Sequence, residues 1–205
     1  GVIVVATGFE LSRGSQAKQL GYQRSLDVMD GLEFERMLSA SGPTGGEIRR
    51  LSDGRVPKDV VFIQCVGSRD TSCDQGYCSS VCCMYAIKDS MIAKEHADYD
   101  LDAAIFYMDI RSYGKDYEMY YDRAKNREGI RFVKARVHSV IENPENRNLI
   151  LRFADENVYL RAGSLNIING MVGLNFSCDG SHYMRFDEFL EKFLNNSVRN
   201  FSRNS

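Results

Sequence analysis

Apolar residues fall along this chain in short unbroken runs and in runs spaced at three and four, which predicts strands and helices in turn. The first run, 1–8 (Gly-Val-Ile-Val-Val-Ala-Thr-Gly), reads as a buried strand entering a turn. Residues 9–31 are polar and glycine-containing, so a loop or irregular excursion is expected there. Asp30 and Glu33 make a capping box, and Leu32, Phe34, Met37 and Leu38 suit a short helix that Gly42-Pro43 ends. The stretch 52–57 reads as a linker and the best domain boundary.

From residue 58 the pattern is regular. Strands are expected at 60–66, 103–110, 130–133, 137–142, 149–153 and 158–160, and helices at 78–95 and 115–127. Val81, Met84, Tyr85, Lys88 and Ile92 carry the helical spacing of the first helix; Tyr117, Tyr120, Tyr121 and Ala124 carry that of the second. Strand–helix alternation implies a right-handed parallel α/β core, Rossmann-like, and the later strands look like an antiparallel meander on it. Beyond residue 161 the signal weakens: 165–170 reads as a last strand, 186–194 as an amphipathic helix and 195–205 as a frayed end.

Composition adds exclusions. Lys and Arg total 26 against 28 Asp and Glu, and a net charge of −2 gives no electrostatic reason to expect nucleic acid. No stretch approaches the ~18 consecutive apolar residues of a membrane span, so no membrane insertion is expected. The chain opens without Met on a strand that needs neighbours, which suggests an internal piece of a longer polypeptide.

The six cysteines change the picture. Cys65, Cys73, Cys78, Cys82 and Cys83 crowd into one segment, and Cys178 stands alone. Without a secretory signal the expected compartment is reducing and cytoplasmic, where such a cluster points to a metal or redox site rather than structural bridges. The spacing Cys65-x12-Cys78-x3-Cys82-Cys83 sets one thiol at a strand end and three at a helix start, with Cys78 and Cys82 on one helix face. A positive helix end favours thiolates, so an iron–sulfur cluster suits this set. Four-cysteine zinc normally uses paired C-x2-4-C knuckles, and a dithiol redox site uses C-x-x-C; neither spacing is present, though zinc and structural thiols stay as alternatives. A nicotinamide site needs G-x-G-x-x-G, whereas the turn Cys65-Val-Gly-Ser-Arg-Asp70 has one glycine. No nicotinamide binding is expected.

Four strings resemble one known family: Leu32 to Glu47 (LEFERMLSASGPTGGE), Phe62 to Asp70 (FIQCVGSRD), Tyr77 to Lys88 (YCSSVCCMYAIK) and Phe106 to Arg111 (FYMDIR). They are similar to the A subunit of heterodisulfide reductase and to its relative in quinone-interacting oxidoreductases, over roughly residues 1–160. The resemblance implies a thioredoxin-reductase-like α/β fold: a fragment of an FAD-binding domain (1–57), a Rossmann-like three-layer domain carrying the cysteines (58–160), and a divergent C-terminal segment (161–205). It implies a [4Fe–4S] cluster on Cys65, Cys78, Cys82 and Cys83. It also implies FAD in the intact protein, beside Ala6, Thr7 and Gly8 and approached by Glu35 and Lys88. An ammonium there would stabilise a reduced flavin anion. The function implied is electron transfer between FAD and iron–sulfur clusters toward partner subunits that reduce a disulfide, and a homodimer is compatible with it. The rival reading is a non-catalytic α/β assembly module with a structural four-cysteine metal site.

Overall fold

The computed structural model describes residues 4, 11, 15–71, 74–155, 162–167 and 170–176. The chain divides into two units, Ser12–Ser177 and a second made of Gly1–Leu11 with Cys178–Ser205. Of the second unit only Val4 and Leu11 are described. The expected elements at 1–8, 158–160 and 186–194, together with Ala6, Thr7, Gly8, Cys73 and Cys178, therefore lie outside the described residues.

In chain order the larger unit contains α1 (Ser15–Gln19), β1 (Val28–Asp30), α2 (Gly31–Leu38), β2 (Asp59–Val66), α3 (Cys82–His96) and β3 (Asp102–Tyr107). There follow α4 (Tyr117–Asn126), β4 (Arg131–Glu142), β5 (Leu149–Asp155), β6 (Ala162–Ile167) and β7 (Met171–Phe176). Among the described residues one sheet takes all seven strands in the order β1-β7-β2-β3-β4-β5-β6. The pairs from β1 through β4 are parallel and the last two are antiparallel, so an α/β sheet with an antiparallel meander is what the chain forms. No helix among the described residues is long and apolar enough to cross a membrane.

The expected capping box starts α2. Asp30 Oδ1 accepts from Glu33 N at 2.8 Å, while Glu33 Oε2 accepts from Asp30 N at 2.8 Å. Two differences from the sequence pattern matter. The segment 9–31 is not wholly irregular, since it holds α1 and β1. The expected strand at 165–170 overlaps only the end of β6, and a further strand that the pattern did not foresee, β7, slots in parallel between β1 and β2. Periodicity cannot foresee this, because the partners of a parallel strand are chosen by tertiary packing.

The core explains the fit. One face of the sheet presents Val60, Phe62, Ala103, Ile105 and Met171 to Phe34 and Met37 of α2 and Ala86, Ile87 and Met91 of α3. Phe34 meets Phe62 edge-on, with ring centroids 5.1 Å apart. Gly173 lies beside Phe62 in register, and a Cβ there would come within 2.9 Å of its ring. Glycine thus lets the ring lie down toward α2, where burying Phe34 contributes about 1.5–3 kcal/mol. On the other face Phe106 meets Phe153 at 5.2 Å.

A buried ion pair ties the loops to this core. Arg50 and Asp27, both almost fully enclosed, approach to 2.9 Å. Asp27 also accepts from Ser52 N at 3.1 Å, and Arg50 Nη2 donates to the Arg147 carbonyl at 3.1 Å.

Candidate metal centre

Strand β2 delivers Cys65 to the carboxyl end of the parallel sheet, where α/β folds place their ligand sites. There the backbone turns abruptly: Cys65 has φ 59° and Gly67 φ 74°. A left-handed conformation is natural for Gly67 but costs energy at Cys65, and such strain concentrates at functional sites. The chain then makes a short tongue, closed by Arg69 N to Tyr77 O at 3.0 Å and by two bonds between Asp70 and Gln75 at 2.8 and 2.9 Å. This closure returns the chain to the sheet, so that Cys78 follows directly after the tongue. Gln16 of α1 braces it, donating to Asp70 Oδ2 at 2.6 Å and accepting from Gly67 N at 3.0 Å.

Cys78 is not helical, contrary to the i, i+4 expectation. Ser80 adopts φ 63°, which no α-helix accommodates, and α3 begins only at Cys82. Ser80 N instead donates to Cys78 Sγ at 3.4 Å, a local bond that competes with helix formation. Only Cys82 and Cys83 stand in the first turn of α3, on its buried face.

Among the described residues four cysteines are free, with Cys65, Cys82 and Cys83 buried and Cys78 half-buried. The neighbouring Cys65 and Cys83 thiols hold the Cys82 thiol well below its usual range, against the upward push of burial. Cys82, with burial, pushes Cys65 and Cys83 up in turn. The proton is thus easiest to remove at Cys82, beside a helix N-terminus. Two guanidinium groups flank the set. Arg69 stands near enough to Cys65 to work against its rise, and Arg111 is itself raised by the Cys78 and Asp109 charges. Both arginines pair with Asp109, Arg111 Nε at 3.3 Å. Cys83 Sγ also lies 3.9 Å from the Asp109 carbonyl. Spacing and periodicity gave these three residues no role, although Arg69 falls near the end of the string at 62–70 and Asp109 and Arg111 fall in the string at 106–111.

Among the described residues, no group of three or more His, Cys, Asp or Glu side chains is spaced to hold a metal ion as it stands. In kind the donor set still suits an iron–sulfur cluster: free cysteines, one of them held below its usual pKa, with Arg69 and Arg111 close by.

Beyond the first turn of α3 lies an apolar cleft of about 600 Å³, lined by Val81, Met84, Tyr85, Lys88, Tyr113 and Tyr117 among others. Lys88 Nζ reaches Glu35 of α2 and lies 3.2 Å from Asp89 Oδ1. Two positions singled out from the sequence are thereby brought together across the helix pair. Burial alone would lower the Lys88 pKa, but Glu35 and Asp89 outweigh it and raise it. Asp89 gave no signal in the sequence. It is fully buried, and desolvation raises its carboxyl to about 7 despite Lys88.

No protein-family model matches the chain. It is 44% identical over 156 residues to the second CoB–CoM heterodisulfide reductase iron-sulfur A subunit of Methanopyrus kandleri, covering 76% of this chain and 24% of that protein. It is 45% identical over 155 residues to the CoB–CoM heterodisulfide reductase iron-sulfur A subunit of Methanocaldococcus jannaschii, covering 76% and 23%. The A subunit of the H2:CoB–CoM heterodisulfide,ferredoxin reductase of Methanothermobacter marburgensis matches at 46% over 145 residues, covering 71% and 22%. The chain spans less than a quarter of the length of these relatives.

Proposed function

We propose, from the similarity of this chain to the A subunits of heterodisulfide reductases, that it is part of an electron-transferring oxidoreductase subunit. In this reading Cys65, Cys78, Cys82 and Cys83 hold a [4Fe–4S] cluster, and the cluster supplies one-electron transfer when bound. The observation that carries it is the meeting of Cys65, Cys82 and Cys83 at the start of α3, where Cys82 is the thiol held below its usual range. Arg69, near Cys65, and Arg111, near Cys78, supply positive charge against thiolates.

FAD is the second cofactor proposed, in the intact protein, with Ala6, Thr7 and Gly8 along it. The tyrosine-lined cleft supports a flat aromatic group next to Lys88, and an ammonium there would favour a reduced, anionic ring. The segments 1–57 and 58–160 then contribute to the flavin and cluster sites respectively. Electrons pass onward to other subunits of a cytoplasmic complex that reduce a disulfide.

The test is anaerobic reconstitution of the chain followed by iron, sulfide, zinc and flavin analysis. Brown protein with near-stoichiometric iron and acid-labile sulfide is the expected result. Tightly bound zinc without sulfide would replace this reading with that of a structural metal module used in assembly.

A further inference from the structure

We propose that Asp89 is the positioning residue for Lys88: by gaining or losing a proton, its buried carboxyl decides whether the Lys88 ammonium is held against α3 or left to Glu35 and the cleft. Asp89 is 0% exposed, and among the described residues neither carboxylate oxygen has a hydrogen-bond partner. The cation nearest it among those residues is Lys88 Nζ, 3.2 Å from Oδ1, and that same nitrogen is shared with Glu35. A carboxylate enclosed without hydrogen bonds is costly, so the arrangement is poised between an ion pair and a neutral acid.

The surroundings leave few other influences. From α2 the facing group is Glu35, and from α3 it is Lys88. From α4 it is Tyr120, itself sensitive to the charges on Lys88 and Asp89. The sheet behind presents apolar Val60, Phe62, Ala103, Ile105 and Met171 to this layer. Burial holds the Asp89 carboxyl up to about 7, so both protonation states are populated near neutrality. Ionised, Asp89 competes with Glu35 for the ammonium; neutral, it does not. Lys88 lines the cleft, so the charge offered there follows the Asp89 proton whatever the cleft binds.

The experiment follows the ε-methylene ¹H–¹³C resonance of Lys88 in the 205-residue chain, assigned by its loss in Lys88→Arg. The resonance is recorded from about pH 5 to about pH 9, a range in which an isolated lysine hardly titrates. In the unaltered chain it should shift with a midpoint near neutrality. In Asp89→Asn it should be flat, whereas Glu35→Gln should keep the transition and lower its midpoint, because one repelling carboxylate is gone. A flat response in the unaltered chain, or a transition that survives Asp89→Asn, overturns the proposal. If Asp89→Asn does not fold, Glu35→Gln decides it: an unchanged midpoint rejects the role of Asp89.

Discussion

The Cys65 thiol at the end of β2 and the Cys82 thiol at the start of α3 act on each other: Cys65 holds Cys82 below its usual range and is itself pushed up. Strand, tongue and helix therefore meet at sulfur rather than at a phosphate-binding glycine turn. Cysteine sulfur thus occupies the place where a Rossmann-like unit offers its anion site.

The centrality of Cys82 gives a first prediction. In anaerobically reconstituted protein, Cys82→Ser should remove most of the visible absorbance, while Cys73→Ser should leave it largely intact. Iron and sulfide assays on both variants check this; equal losses would mean that the ligand set has been misassigned.

Nicotinamide binding should be absent. Gly67 is the one glycine of the turn after β2, and α3 begins only at Cys82, so no helix start follows where a pyrophosphate would lie. Isothermal titration with NADH and NADPH should give no heat of binding. Micromolar affinity for either would show that the thiols have not displaced a nucleotide site.

The Asp27–Arg50 pair should be expensive to break. Arg50→Met leaves Asp27 enclosed without its cation, and losing one partner of a buried pair costs about 3–5 kcal/mol. Urea unfolding should show a lower midpoint with an unchanged slope. A loss below ~1 kcal/mol would mean that Ser52 and solvent satisfy Asp27 unaided.

Asp89 sets a pH dependence of stability. Its folded pKa, about 7, lies above the ordinary 3.8, so its contribution is complete below 3.8 and is lost as pH rises through 7. Asp89→Asn removes that loss, and the variant should gain on the parent by up to about 4 kcal/mol above neutrality. Thermal or urea unfolding across this window tests it. Parallel stability curves for the two proteins would show that burial does not perturb Asp89.

Much of the chain was legible before its structure. The capping box at Asp30 and Glu33, the alternation from residue 58 and the crowding of thiols all act over a few residues, where local propensity and spacing decide. The strings around Cys65, Cys82 and Asp109 carry the resemblance to the A subunit of heterodisulfide reductase directly. Local propensity and spacing thus carry the α/β class and the cluster of candidate ligands, and the strings carry the resemblance.

Tertiary structure decided the rest. Parallel pairing set β7 between β1 and β2, since hydrogen bonds to distant strands leave no trace in periodicity. Ser80 took a left-handed conformation that moved Cys78 off the helix, where helical spacing had placed it. Lys88 met Glu35 because α2 and α3 pack on the same face of the sheet. Asp89 reads in the sequence as an ordinary polar position of a helix, and only burial turned it into a group that titrates near neutrality. Charge and hydrogen-bonding capacity belong to the residue, but the cost of its ionisation belongs to the surroundings that the fold assembles.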